Sequence, residues 1–111
     1  MDALTFDWEE CLRLSNNKQD IAKELLSLLE KELPTYQSEF KQAIQSNDLE
    51  KLQRYCHKLH GACCYIGVPQ LRTLVNQLAA QIKSGRKNQL TILVNQINSE
   101  IDLVMKAIEK V

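Results

Sequence analysis

Arg54-Tyr55-Cys56-His57-Lys58-Leu59-His60-Gly61-Ala62-Cys63-Cys64-Tyr65-Ile66-Gly67 holds both histidines of the chain, three of its four cysteines and two of its three glycines. At about 3.6 residues per turn, Leu49, Leu52, Cys56, Leu59, Cys63 and Ile66 fall on one stripe, the apolar face of an amphipathic helix predicted from Leu49 to about Ile66. An advance of about 100° per residue puts His57 roughly 130° from the middle of that stripe. His57 is therefore expected to point at water, with Gly61 and Cys64 one and two turns on along the same side. A glycine inside a helix costs about 1 kcal/mol relative to alanine, so Gly61 needs a reason. A missing side chain beside an exposed imidazole lets another protein come close. The pattern is that of a presented histidine.

Outward from this stretch the apolar period persists on both sides. Upstream, Ser46-Asn47-Asp48 reads as a turn, with Asn47 and Glu50 as a capping box. Before it, Ile21, Leu25, Leu28 or Leu29, Leu33, Tyr36, Phe40 and Ala43 or Ile44 mark a long helix. Pro34 falls inside it, and because the apolar phase continues beyond the proline, a kink is expected rather than a break. Phe6 to Cys11 opens a short first helix: Asp7 caps it, Glu10 is its capping-box partner, and Phe6 and Cys11 sit at staple positions. That helix should end near Ser15-Asn16-Asn17, whose asparagines suit a turn and the next N-cap, and Trp8 should plug one end of the molecule. Downstream, Gly67 reads as the C′ residue of the central helix and Pro69 as the first turn of the next. Leu71, Leu74, Val75, Leu78 and Ile82 give that helix its face, and Ser84-Gly85 ends it. A last helix, from about Asn88, carries Leu90, Val94, Ile97, Ile101, Val104 or Met105, and Ile108. Long amphipathic helices joined by short turns predict an all-α fold, an antiparallel four-helix bundle with a short N-terminal capping helix. The expected domain is single, residues 1–111, with the core bundle over about 18–110.

Composition closes off several function classes. The 14 basic and 14 acidic residues cancel to a formal charge of zero and are mixed along the chain, which argues against a nucleic-acid binder with its basic face. No run approaches the roughly 18 apolar residues of a membrane span, and the first twenty residues are too acidic and broken for a signal peptide. Cys11, Cys56, Cys63 and Cys64 form no C-x-x-C pair and read as reduced cytosolic thiols, Cys56 and Cys63 in the core by phase. Three scattered glycines cannot build a nucleotide-cradling loop, so no ATP chemistry is expected.

From the residues alone, His57 has three possible roles. It can be an ordinary surface histidine. It can be a metal ligand, because His57, His60 and Cys64 lie within roughly 60° of each other around the helix, although structural zinc wants four ligands. Or it can be a nucleophile for a phosphoryl group, with Gly61 clearing the approach and Arg54 and Lys58 supplying charge.

The run His57-Lys58-Leu59-His60-Gly61-Ala62, followed by Ile66-Gly67-Val68 and Leu71, resembles the H-x-L-K-G-[AS] signature of histidine-containing phosphotransfer (HPt) domains. The apolar helix with its proline, from Leu29 to Pro34, then Phe40, Ala43 and the Ser-Asn-Asp turn, is similar to that family too, as is the stretch from Leu71 to Leu78. The likeness covers roughly residues 20 to 85. The H-K-L-H-G run looks most like the C-terminal HPt modules of tripartite hybrid sensor kinases of the BarA type.

The resemblance implies that His57 is the phosphorylated residue, in a phosphorelay of two-component signalling. His57 would take a phosphoryl group from an aspartyl phosphate on the receiver domain of a sensor kinase and pass it to the receiver of a response regulator. Arg54, Lys58, His60, Gly61, Cys64 and Tyr65 would position the group or form the docking face. The usual lysine is replaced by His60, a weaker cation at neutral pH as histidines go, for which Lys58 and Arg54 would compensate. The polar residue often found on the following helix appears as Ala79, and no role passes to Asn76 or Gln77. The implied domain is a phosphocarrier, not an enzyme by itself, with no cofactor of its own and a divalent metal in the partner receiver. A cytoplasmic monomer with no nucleic-acid or direct membrane contact is expected, cut from a hybrid sensor histidine kinase. The alternative is a helical adaptor or metal-binding bundle without phosphotransfer.

Overall fold

The computed structural model describes residues 4–84 and 87–111, and all regular structure among them is helical. The elements are α1 (Trp8–Leu14), α2 (Gln19–Gln45), α3 (Leu49–Cys63), α4 (Pro69–Ser84) and α5 (Lys87–Glu109). The four long helices close a ring: α2 packs on α3, α3 on α4, α4 on α5, and α5 back on α2, while α1 rests on α2. Gly85, expected at the end of the fourth helix, lies outside the described residues. No described helix is long and apolar enough to cross a membrane.

Each long helix contributes one buried stripe. Leu33, Phe40, Leu59, Leu71, Leu78, Ile97 and Ile101 are fully enclosed, each worth about 1.5–3 kcal/mol of burial. On α2 the buried series is Ala22, Leu26, Leu29, Leu33, Tyr36, Phe40 and Ala43, an unbroken 4-3-4-3 spacing. Ile21, expected inside, is exposed, Leu25 is half-buried, and of the alternatives Leu28 and Leu29 it is Leu29 that is buried. The inward face of the first turns lies one residue later than hydrophobicity suggests, with Ala22 rather than Ile21 on it. α2 runs as one helix through the exposed Pro34. Beyond the proline, Gln37 Nε2 donates to the Asn98 carbonyl (2.9 Å) and to Asp102 Oδ1 (2.8 Å), fixing the register of α2 against α5.

Helix ends follow local chemistry. Asp7 Oδ1 accepts from the Glu10 backbone N–H at 3.2 Å, the expected N-cap of α1. Asn16 and Asn17 both take positive φ, 55° and 61°, making the turn, but the N-cap of α2 is Lys18, with no side-chain cap bond. The cap of α3 is Asp48, not Asn47: Asp48 Oδ1 accepts from Lys51 N at 3.0 Å, while Asn47 supplies the left-handed turn at φ 56°. α3 ends at Cys63 rather than near Ile66, because Cys64 N and Tyr65 N turn back to the Gly61 and Ala62 carbonyls at 3.2 Å each. These i→i−3 bonds tighten and close the last turn.

Gly67 is not a left-handed helix cap. It is the seat of α1: a Cβ there would stand 2.2 Å from the Asp7 carbonyl oxygen and 3.1 Å from Cys11 Sγ. Across this contact Asp7 N donates to the Gly67 carbonyl at 2.8 Å, and Gly67 N donates to Cys11 Sγ at 3.1 Å. Trp8 packs half-buried against the core beside it.

Candidate functional site

α3 divides into a buried stripe, two edges and an outer ridge. Leu52, Cys56, Leu59 and Cys63 form the stripe and hold the helix at a fixed rotation. His57, one residue past Cys56, is thereby turned out into solvent. Cys56 also pins α3 to α4, since its thiol donates to the Val75 carbonyl at 3.4 Å. Burial pushes the Cys56 thiol up to about 11 and the Cys63 thiol up to about 12, so both stay protonated and inert at neutral pH.

On the edge toward α4, a shallow cleft of about 240 Å³ opens beside His57. His57, His60 and Gln53 line it from α3, and Asn76, Ala79 and Lys83 from α4. The remaining lining is the apolar Cys56 and Ile82, so among the described residues no carboxylate borders the space. On the opposite edge, Arg54 and Lys58 both sit over the Tyr55 ring, at 5.6 Å from its centroid, a cation–π arrangement. Lys58 lines a second groove there, with Lys31 and Glu32 of α2. The two cations expected to make up for the missing lysine thus lie away from the cleft that His57 shares with His60.

Gly61 stands one turn beyond His57 on the outer ridge, exposed, and a Cβ added to it would meet nothing within 4 Å. No neighbour requires this glycine. Cys64 and Tyr65 are exposed just past it, and Tyr65 borders a hollow of about 170 Å³ with Leu25 and Leu28 of α2. The exposed Leu28 is therefore part of the surface beside Tyr65. Cys64 does not join His57 and His60 in their cleft, and among the described residues no three His, Cys, Asp or Glu side chains converge on a metal position.

The sequence profile of the Hpt domain matches residues 24–110. The chain belongs to the Hpt domain family.

Hpt domains are the histidine-containing phosphotransfer units of two-component phosphorelays. This one is 32% identical over 108 residues, 96% of the chain, to the signal transduction histidine-protein kinase BarA of Shigella flexneri, covering 12% of that protein. It is 36% identical over 82 residues, 74% of the chain, to the sensor protein GacS of Pseudomonas syringae pv. syringae, covering 9% of it. The chain therefore spans about an eighth or less of the curated relatives it matches. Among solved structures, the HPT domain of a sensor hybrid histidine kinase from Shewanella superposes with a TM-score of 0.90 at 30% identity, over 96% of this chain and 92% of that one. Phosphotransfer protein B (HptB) of Pseudomonas aeruginosa PAO1 shares the fold at a TM-score of 0.85 and 18% identity, over 98% of this chain and 95% of that one.

Three polar residues of the cleft carry no role in the sequence reading, Gln53 on α3 and two on α4. Asn76 faces it and Gln77 does not, and Lys83 closes the α4 side. The signal for both was the α4 period itself: Asn76, Ala79 and Lys83 stand at i, i+3 and i+7, one helix face carried a turn past the position compared with the family.

Proposed function

We propose that this Hpt domain carries a phosphoryl group on His57 between two receiver domains. A receiver bearing an aspartyl phosphate docks over the ridge of Gly61, with Cys64 and Tyr65 as its seat and the Arg54–Tyr55–Lys58 stack at its margin. The unprotonated ring nitrogen of His57 attacks phosphorus in line. An N–P bond forms as the P–O bond to the donor carboxyl breaks, and the carboxylate leaves with the electron pair. The positive charge gained by the ring is relieved by losing the proton on its other nitrogen to water. The second transfer reverses each step onto the aspartate of a response regulator.

Phosphoryl transfer asks mainly for positioning and charge stabilisation, and the receiver's own divalent metal would supply much of the latter. The antiparallel four-helix bundle, acting as a single domain capped by α1, supplies a correctly aimed imidazole. The domain is in this reading a cytoplasmic, monomeric phosphocarrier of a hybrid sensor histidine kinase, with no cofactor and no activity on ATP.

The observation that carries the proposal is Gly61, a helical glycine beside an exposed histidine where a Cβ would touch nothing. Packing does not account for it, whereas the close approach of a partner does. The test is incubation with a receiver domain phosphorylated on its aspartate. Label should appear on the wild type, survive base, hydrolyse in acid as a phosphoramidate does, and vanish in His57→Gln with helix content unchanged. Label that persists in His57→Gln refutes the assignment.

A further inference from the structure

We propose that Lys83 is the cation that holds the phosphoryl group once it is on His57. This rests on His57 being the phosphorylated residue and adds what receives the charge. A phosphoryl group brings nearly two negative charges, and the ring of His57 has two edges beside which to place them. The edge toward α2 has Lys58 and Arg54, but both are stacked on Tyr55, and the groove there includes Glu32. The edge toward α4 is a cleft with no carboxylate among the described residues that line it, and Gln53, Asn76, His60 and Lys83 are its polar lining. Every polar side chain among the described lining can donate a hydrogen bond, and Lys83 alone among them is a permanent cation at neutral pH.

Lys83 is free for this task. It is exposed and forms no ion pair among the described residues. It stands in the last turn of α4, where the carbonyl end of the helix favours a cation without any carboxylate partner. Ala79, one turn before it, contributes only a methyl-bearing side chain to the same cleft. A lysine stem is long and flexible, and the head can follow the phosphoryl group as it arrives and leaves. His60 is thus backed by a cation on the facing helix.

The test loads the 111-residue chain with phosphate from potassium phosphoramidate and follows phosphohistidine by ³¹P NMR against pH. A neighbouring cation favours the dianion and lowers the pH at which the phosphoryl group takes up its second proton. Lys83→Gln should raise that midpoint by about half a pH unit, the scale of one solvent-exposed charge pair, and slow loading about threefold. Lys83→Arg should restore both. Helix content and melting temperature should be those of the wild type in each variant. An unmoved midpoint in Lys83→Gln, or a movement as large in Lys58→Gln, overturns the role of Lys83 while leaving His57 as the carrier. Failure of the wild type to form any phosphohistidine overturns the underlying reading as well.

Discussion

Alanine at position 67 probes how firmly α1 is seated on the loop that follows the histidine helix. The added Cβ would lie 2.2 Å from the Asp7 carbonyl oxygen and 3.1 Å from both the Cys11 amide nitrogen and its sulfur. The first neighbour is backbone, which cannot rotate away, so α1 must move off the loop. Movement weakens the 2.8 Å bond from Asp7 N to the Gly67 carbonyl and the 3.1 Å contact from Gly67 N to Cys11 Sγ. One net hydrogen bond is worth about 0.5–1.5 kcal/mol, and forcing a methyl into packed structure costs about 1–3 kcal/mol. Against these, alanine restricts the unfolded chain and returns about 0.4–1 kcal/mol. The balance is a loss of about 2 kcal/mol, a fall of roughly 8 °C in melting temperature for a domain of this size. Urea denaturation of Gly67→Ala measures it directly, with hydrogen exchange at Asp7 and Cys11 as a local readout. A variant as stable as wild type, with those amides as protected as before, would refute the close approach of α1.

Gly61→Gln should behave in the opposite way: its side chain enters open space, so stability rises by a few tenths to ~1 kcal/mol, while transfer from a phosphorylated receiver slows at least tenfold. Unchanged transfer would remove the reason given for that glycine. A maleimide reagent at neutral pH should label the exposed Cys64 rapidly and leave Cys11, Cys56 and Cys63 unmodified until the protein unfolds, as counted by mass spectrometry. Glu100 is 7% exposed and burial raises its carboxyl above the ordinary range, a hydrogen bond from Thr5 pulling the other way. Its protonated form is the one the fold prefers, so its contribution is present below the ordinary carboxylate range and is lost as pH rises through the raised value. Glu100→Gln should therefore gain stability relative to wild type between pH 4 and pH 7, followed by denaturant titration at each pH; an advantage that does not grow with pH contradicts the burial of that charge.

How much of this was legible in the chain depended on which force decided each position. Of the stripe expected from Leu49 to Ile66, every member from Leu52 on is buried while Leu49, in the first turn, is exposed; the outward turn of His57 follows from helix period, and Asp7 as a cap follows from its side chain. Ile21 was misjudged because period and hydrophobicity score an isoleucine above an alanine, while it is the neighbouring Ala22 that is buried. Asn47 and Asp48 are both good N-cap residues, and only the left-handed backbone of Asn47 decides between them. Gly67 resembled a helix cap because its neighbour is distant in sequence: Asp7 and Cys11 lie about sixty residues upstream. Lys83 escaped for a related reason, since comparison with a family signature stops at the positions the signature contains. The surface beside His57 is completed by α2 and α4, and no local pattern states which of their residues meet there.

The contact between the Cys56 thiol and the Val75 carbonyl also gives the protein a native spectroscopic label. The S–H stretch absorbs in an infrared window that other protein groups leave clear, and its frequency follows the strength of the hydrogen bond it makes. Cys56 neighbours His57 in sequence, and its acceptor lies on the helix that forms the far wall of the cleft. A sliding of α3 against α4 as phosphate arrives would shift that band with no probe attached. A rigid cleft would leave it still.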